Sequence, residues 1–362
     1  MAVIMVNGQP CALPQATAEA ARLLSRAKSP VIAGLASDAA GIRQAVRLAA
    51  RLGASVDHLA AEHALRNFSA MRDAGWMIAS PAELRRRADL IVLLGPQIHD
   101  AWPGLAGFLA DAGQRPAIVC IGCGAFARQL SDVGLTVERH NVSADALPGL
   151  IAALRARHAS RPIGAAGLSA RAIDAIVARM KSARFGVAIW SALGLDTLEI
   201  EMLSGLIKDL NAKTRFSGLP LPGPANVAGS AQTLGWLTGF PARVGFGRGY
   251  AEHDPWRFDA ERMIDAGEAD AMLWLSSFRD EPPPDANGIP TVALVARGTR
   301  FKKPPRVAIE VATPGIDHDA VVFLPQTGVL GPVKAARASD LPRASDVLAM
   351  IDAVLPKRGA AA

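Results

Sequence analysis

The sequence predicts an α/β protein with parallel sheets, and two observations carry that prediction. Short runs of consecutive apolar residues, each about as long as one strand, alternate along the chain with segments of helical period. A strand that is apolar at every position is buried on both faces, as in a parallel sheet covered by helices. The 362 residues, of which 50% are hydrophobic, suffice for two or three domains with sizeable cores.

The first elements follow this alternation. The apolar run at 30–34 predicts a buried strand, and an apolar-periodic helix follows from about residue 39 to residue 52. Residues 80–83 (SPAE) form a capping box with proline at the first helical position, so a helix begins there. That helix leads into two further apolar strands, at 89–95 and 117–121.

The alternation restarts after residue 164. We expect helices at 170–182 and 197–210, separated by a strand at 185–190. The later strands are predicted at 271–275, 291–295, 306–311 and 321–324.

Composition excludes several classes of protein. The net charge of +6 suggests nucleic acid as a partner, but the basic residues are scattered and no aromatic residues interleave with them. This modest excess suits a partner subunit or an anionic group equally well. No apolar run approaches the ~18 residues of a membrane span, and the N-terminus lacks the basic start of a signal peptide. With three cysteines, an odd count, we expect a cytoplasmic protein.

The densest group of candidate recognition residues lies between Asn226 and Pro255. Its members are Asn226, Gln232, Trp236, Arg243, Arg248 and Tyr250, the last being the only tyrosine of the chain. The glycines of this segment predict that it contains no long helix and lies outside the core. It is expected either to line a site or an interface, or to form a long surface loop.

This segment also carries a family resemblance. It is similar to the pattern N-V-x-G … W-x-x-G-[FY]-P-x-x-V-x-F of the B subunit of formylmethanofuran dehydrogenase, in the molybdopterin oxidoreductase superfamily, which includes formate dehydrogenase. The resemblance extends from about residue 18 to residue 325. It implies two Rossmann-like parallel-sheet domains, one inserted in the other, without the iron–sulfur domain. By this analogy residues 59–162 form the insert, and residues 1–58 and 163–362 form the discontinuous host domain.

The residues that hold the metal in that superfamily are missing here. Its members bind tungsten or molybdenum through a pterin dithiolene and a cysteine or selenocysteine, whose soft thiolate suits such a metal. The family pattern D-N-x-A-x-x-C-H-x-P corresponds to DHLAAEHAL at 57–65, with His63 at the cysteine position and Ala64 at the histidine position. A one-residue slip would place Glu62 or Ala64 there, and neither is a thiol. Only Cys11 lies upstream, so the iron–sulfur cluster motif is missing too.

Two loops that contact the pterin in the family also differ. The family pattern G-x-N-P-x-x-x-H-P corresponds to GPQIHDAWP at 95–103, which places Gln97 where the asparagine stands. The D-P-R that follows another family strand is replaced by residues around Cys123. Together with Asn226 of the N-V-x-G motif and His63, these positions outline a degenerate pocket. The resemblance therefore implies that this chain holds no metal, pterin or cluster.

Three other patterns suggest chemistry less specifically. GCGAFA at 122–127, with Glu138 further on, resembles a dinucleotide-binding fingerprint, but the acidic residue comes too early and the helix between is short. Cys120-x-x-Cys123 resembles a redox or zinc motif without a second pair, and we expect Cys120 to face a sheet core. Asp317-His318-Asp319 is expected to form a turn rather than a metal site.

The resemblance leads to a function. Some methylotrophic bacteria have a formyltransferase/hydrolase complex whose subunits resemble formylmethanofuran dehydrogenase components. One partner transfers a formyl group from formyl-tetrahydromethanopterin to a furan carrier, and an amidohydrolase-type metal subunit hydrolyses it to formate. We expect this chain to be the non-catalytic structural subunit of such a complex. The candidate contacts to a partner or an anionic carrier tail are Trp236, Arg243, Arg248 and Tyr250.

Two alternatives remain at this point. The chain could be an active tungsten- or molybdenum-pterin subunit in which His63 or Glu62 is the ligand. It could also be an independent nucleotide-binding enzyme, an interpretation that depends only on the glycine fingerprint.

Overall fold

A computed structural model describes residues 3–113 and 115–356. The helices are α1 (Leu13–Arg26), α2 (Ala39–Leu52), α3 (Ala61–Ala74), α4 (Pro81–Arg87), α5 (Ile98–Ala101), α6 (Leu105–Ala110), α7 (Gly124–Asp132), α8 (Leu147–His158), α9 (Ala170–Ser182), α10 (Thr197–Leu210), α11 (Val227–Thr238), α12 (Ala260–Asp265) and α13 (Ala344–Val354). The strands are β1 (Ile4–Val6), β2 (Gln9–Pro10), β3 (Pro30–Ala36), β4 (Ser55–Val56), β5 (Leu90–Leu94), β6 (Ala117–Ile121), β7 (Val137–His140), β8 (Gly186–Trp190), β9 (Phe216–Pro220), β10 (Val244–Gly245), β11 (Glu252–His253), β12 (Ala271–Ser276), β13 (Thr291–Ala296), β14 (Val307–Val311), β15 (Ala320–Leu324) and β16 (Val329–Val333).

These elements confirm the predicted fold class and most of the predicted segments. The helices predicted at 39–52, 170–182 and 197–210 begin and end as expected. The capping box at the start of α4 is also present, because the Ser80 hydroxyl accepts from the Glu83 N–H and the Glu83 carboxylate accepts from the Ser80 N–H. Within the described part of the chain, no helix combines the length and hydropathy needed to cross a membrane.

The first of two compact units is discontinuous in sequence and contains residues 3–61, 225–323 and 330–356. Its sheet has the order β11-β10-β4-β3-β12-β13-β14-β1-β2. The five central strands, from β4 to β14, are parallel, and the antiparallel pairings lie at the two edges. Strand β3 is buried at every position in the middle of this sheet. The topological switch point, where ligands bind in open α/β sheets, therefore lies between β3 and β12.

The second unit contains residues 62–113, 115–224 and 324–329. Its sheet has the order β7-β6-β5-β8-β9 and is parallel throughout. Read in chain order this is 3-2-1-4-5, which is the order of the first five strands of the six-stranded Rossmann fold. Apolar clusters cover both faces of the sheet, as expected for parallel strands that are apolar at every position.

The division of the chain differs from the predicted one at its second boundary. The predicted start of the insert at residue 59 lies close to the observed start at residue 62, but the unit continues to residue 224 rather than residue 162. The physical reason is strand pairing, because β8 hydrogen-bonds to β5 along its whole length and β9 hydrogen-bonds to β8. Residues 163–224 therefore complete the second sheet instead of returning to the first.

The segment 226–255 also differs from its prediction. Residues Val227–Thr238 form a helix that runs through two glycines and ends at Gly239, whose φ of +86° suits glycine. Leu234, Val244 and Phe246 belong to the core of the first unit. An interior glycine costs a helix about 1 kcal/mol relative to alanine, and the burial of Val227, Ala231 and Leu234 within this helix offsets that cost. Part of the segment therefore belongs to the core instead of forming one long loop, while other residues of it, such as Trp236 and Tyr250, are exposed.

Candidate functional site

A buried ionic network lies at the end of β4 in the first unit. Asp57 is 7% exposed. Its Oδ1 accepts from the His58 N–H at 2.9 Å and its Oδ2 accepts from the Ala260 N–H at 3.0 Å. The guanidinium of Arg243 lies 3.6 Å from Asp57 Oδ2 and 2.5 Å from Asp259 Oδ2. One arginine therefore neutralises two carboxylates from different parts of the chain.

Burial is the main cause of the raised pKa of Asp57. Loss of hydration raises the pKa of its carboxyl group to about 7, although Arg243 and the two backbone N–H donors favour the charged form. Asp259 is a second negative charge on the same arginine and adds to the increase. Asp57 therefore titrates near neutral pH, within a network that its own backbone contacts hold in place.

Arg243 is an internal residue rather than a surface contact. Its side chain is only 14% exposed, and Nη1 donates to the Pro255 carbonyl at 2.6 Å. Asp259, its main partner, also caps helix α12 by accepting from the Arg262 N–H at 2.9 Å. Arg243 therefore joins β10, the loop before α12 and the end of β4, and it presents little surface to a partner.

Asn226 joins two other parts of the first unit. Its Nδ2 donates to the Ser37 carbonyl at 2.8 Å, and its Oδ1 accepts from the Phe323 N–H at 2.9 Å. Its φ of 60° lies in the left-handed region, which asparagine tolerates better than most residues. These contacts explain the asparagine of the N-V-x-G motif by the fold alone.

The hydrogen bonds of His58, next to Asp57, determine which of its ring nitrogens carries the proton. Its Nδ1 accepts from the Ala60 N–H at 2.9 Å, so its proton is on Nε2, which donates to the Ala225 carbonyl at 3.1 Å. The side chain is 3% exposed. His58 therefore stabilises the chain just before helix α3 and leaves no ring nitrogen available to a ligand.

His63, at the predicted ligand position, differs from His58 in its hydrogen bonds. It lies in α3 of the second unit and is 3% exposed. Its Nε2 has no hydrogen-bond partner among the described residues. Burial, and to a smaller degree the charge of Arg66, lowers its pKa to about 4. The ring is therefore a neutral imidazole at physiological pH, and the neighbouring Glu62 is mostly exposed.

The two loop positions of the degenerate pocket follow strands β5 and β6. Gln97 has a φ of 60° and precedes the single turn of α5. Cys123 is 4% exposed, and its thiol donates to the Leu93 carbonyl at 3.8 Å. Its hydrogen bond with Cys120 and its burial raise the pKa of the Cys123 thiol far above the usual range. Cys120 is buried in the sheet core as predicted, and the thiols are free.

These residues do not fit the metal–pterin group described above for the superfamily. That group needs a thiolate, whereas position 63 supplies a neutral imidazole and Cys123 is a neutral thiol. Among the described residues, no three His, Cys, Asp or Glu side chains are grouped so that they could hold a metal ion.

The glycine fingerprint does not provide a nucleotide site with a free acidic residue. Helix α7 after β6 is 9 residues long. Glu138, the acid that would bind a ribose, is engaged by His140 at 2.8 Å and by an ion pair with Arg179. Asp317 likewise has an internal role, because it accepts from the Thr313 N–H and pairs with Arg337.

The remaining predicted contact residues are exposed. Trp236 is 73% exposed and Tyr250 is 58% exposed. The Arg248 side chain is 62% exposed and forms an ion pair with Glu252 at 3.2 Å. Trp236 lines a cavity of about 520 Å³ in the first unit. Two further residues of this cavity, Arg43 and Arg343, have no sequence motif and lie too far apart in the chain for sequence analysis to group them.

Comparison with known proteins gives long matches. The sequence matches no protein-family model. It is 33% identical over 348 residues, 95% of this chain and 94% of the relative, to the B subunit of the formyltransferase/hydrolase complex Fhc of Methylorubrum extorquens. It is 29% identical over 329 residues, 84% of this chain and 74% of the relative, to the B subunit of the tungsten-containing formylmethanofuran dehydrogenase 2 of Methanocaldococcus jannaschii.

A solved structure also matches this chain along nearly its whole length. The chain superposes with a TM-score of 0.85 and 32% identity on a chain of the formyltransferase/hydrolase complex (FhcABCD) from Methylorubrum extorquens, crystallised with methylofuran. The match covers 97% of this chain and 98% of the other.

Proposed function

Because this chain belongs to the family formed by the B subunits of Fhc and of formylmethanofuran dehydrogenase, we propose that it is a non-catalytic structural subunit of a formyltransferase/hydrolase complex. The observation that carries the proposal is the match to the Fhc B subunit along nearly the whole of both chains. A hetero-oligomeric assembly follows from the neighbour, which is a chain of a complex with four named components.

The proposal includes the chemistry of the other subunits. The neighbouring complex contains methylofuran, a furan carrier. We assign to partner subunits the transfer of a formyl group from formyl-tetrahydromethanopterin to such a carrier. An amidohydrolase-type subunit with its own metal then hydrolyses the carrier-bound formyl group to formate. The pathway would be tetrahydromethanopterin-linked oxidation of formaldehyde to formate, and this chain would hold the hydrolase and transferase subunits together.

The state of the ligand position supports a non-catalytic role. An active tungsten subunit would need a group at position 63 that binds a soft metal, and a neutral imidazole buried in a helix is a poor substitute for a thiolate. The site thus favours the structural role over an active metal–pterin subunit.

The test is isolation of the native complex through a tag on this chain. We expect other subunits to co-purify, with zinc or a similar metal in one of them, and no stoichiometric tungsten, molybdenum or pterin. Stoichiometric tungsten or molybdenum together with oxidised pterin fluorescence would show an active site in this chain and would overturn the proposal.

Two variants sharpen the test. His63→Ala and Glu62→Gln remove the two ligands that an active metal–pterin subunit could use. At equal concentrations of assembled complex, formyl transfer and formate release should stay within about twofold of wild type, because a residue outside the chemistry does not stabilise the transition state. A loss of activity without loss of assembly would assign catalysis to this position.

A further inference from the structure

The cavity beside Trp236 combines exposed apolar side chains with basic residues. Its exposed apolar members are Trp236 at 73%, Leu237 at 46% and Val321 at 41%. Its cations are Arg43, Lys334 and Arg343. All of these residues belong to the first unit, and they come from helices α2 and α11, the β15–β16 hairpin and the residues that flank them.

The acidic residues of the cavity are already engaged. Asp38 caps helix α2 by accepting from the Gly41 N–H at 3.0 Å. Asp319 forms an ion pair with Lys334 at 2.8 Å and accepts from the Ala335 N–H. Both carboxylates therefore already have partners within the fold.

Two of the cations lack a carboxylate in contact. Arg43 and Arg343 are exposed, and neither forms an ion pair within the described residues. Lys334 mainly, and the more distant charge of Arg343 to a smaller degree, lower the pKa of the Asp319 carboxyl. The cavity therefore presents two guanidinium groups whose hydrogen-bond donors can still bind a carboxylate.

We propose that this surface docks an acidic segment of another subunit, with an apolar side chain against Trp236 and Leu237 and a carboxylate between Arg43 and Arg343. The proposal rests on the proposed function, because it needs a complex in which this chain has partners. Tryptophan and arginine are the residues that most often dominate the free energy of subunit association. A planar guanidinium also binds carboxylates in a bidentate manner.

Other occupants fit less well. A second copy of this chain, docked by the same surface about a twofold axis, would bring these cations against one another. A small anion inside the cavity would leave most of the Trp236 ring in water. A polypeptide covers both the ring and the cations, so charge and exposed apolar area together favour an acidic segment.

The experiment compares matched variants in the purified complex. Arg43→Glu with Arg343→Glu reverses the two charges, and Arg47→Glu reverses an exposed charge on the same helix outside the cavity. Native mass spectrometry and a titration of the partner subunits should show an affinity about 10-fold or more weaker for the double variant. The control should stay within about twofold of wild type. Thermal unfolding of each isolated chain checks that all variants fold.

The outcomes separate this proposal from the proposed function. If wild type binds no partner subunit, the proposed function itself fails. If wild type assembles and the double variant binds equally well, only the docking proposal is overturned. A photo-reactive phenylalanine at position 236 should cross-link a partner peptide that contains Asp or Glu. A cross-link to a second copy, or no cross-link to any partner in the assembled complex, would also overturn it.

Discussion

Two polar regions of the molecule, one in each unit, differ in whether their side chains have partners. In the first unit, Asp57, Arg243 and Asn226 each make at least two hydrogen bonds or ion pairs. In the second unit, His63 has a ring nitrogen that is buried without a partner among the described residues, and the Cys123 thiol has long sulfur contacts only. Both regions correspond to motifs of the same family.

The difference shows which polar residues the fold itself requires. A buried polar group costs free energy unless it is hydrogen-bonded, so the partnered residues stabilise the unit that contains them. An unpartnered imidazole contributes no such stabilisation. The contacts of the fold therefore account for the polar residues of the first motif, and they do not account for the buried imidazole of the second.

The largest expected change in the free energy of unfolding follows from the removal of the Arg243 side chain. Arg243→Ala should lower the free energy of unfolding by about 3–5 kcal/mol, because it removes the cation from the half-buried Asp259 and from Asp57, which must then take up a proton, and it also removes the hydrogen bond to the Pro255 carbonyl. Arg248→Ala, which breaks an exposed ion pair in the same segment, should cost about 0–1 kcal/mol. Urea denaturation measures both. Equal costs would mean that Arg243 is not the centre of the network.

A smaller effect is expected at Asn226. Asn226→Ala should cost about 1–3 kcal/mol, because it leaves the Ser37 carbonyl and the Phe323 N–H without their partner. Asn226→Asp keeps the acceptor for Phe323 but cannot donate to Ser37, so its cost should be intermediate near neutral pH. An unchanged denaturation midpoint for both variants would contradict the assigned contacts.

The pH dependence of stability should have a defined sign at Asp57. Its pKa is raised in the folded state to about 7, so between about pH 4 and pH 7 the folded protein binds the proton that the unfolded chain has lost. This contribution to stability is complete below the unfolded pKa and is lost as the pH rises to about 7. Asp57→Asn should remove it, and a wild-type slope retained in the variant would contradict the expectation.

The opposite sign is expected at His63. Its folded pKa of about 4 lies below the ordinary value of 6.5, so its contribution is present above pH 6.5 and is lost as the pH falls toward 4. His63→Leu should therefore gain stability relative to wild type over that interval, by at most about 1.4 kcal/mol per pH unit. Near pH 7.5 the variant should be nearly neutral. A cost there as large as that of Arg243→Ala would show that His63 has a structural partner after all.

Sequence analysis predicted the local elements well and the non-local arrangement less well. Apolar runs and capping residues are local patterns, so strands such as β5 and helices such as α10 were predicted within a residue or two. Helix α11 was missed because its glycines argue against a helix, while the burial that outweighs them depends on residues far away in sequence. The boundary predicted near residue 162 differs from the limit of the compact unit at residue 224, because pairing of β8 with β5 leaves no sequence motif.

The candidate site was predicted unevenly for the same reason. The sequence alone identified His63, Gln97 and Cys123 as positions that depart from the family motif. It placed Arg243 on the surface, since arginine is usually exposed, and only the positions of Asp57 and Asp259 show that it is buried. Exposure of Trp236 agrees with its predicted contact role, which stays a prediction.

The discontinuity of the first unit has a consequence for protein synthesis. Strand β3 lies between β4 and β12 in the finished sheet, so it emerges from the ribosome long before one of its two neighbours has been translated. The five strands of the second sheet all lie between Leu90 and Pro220, so that sheet can form while the rest of the chain is still being made. During this interval β3, which is apolar along its length, has only the short β4 beside it. The nascent chain should therefore need chaperone protection at its N-terminal part until translation passes Ser276.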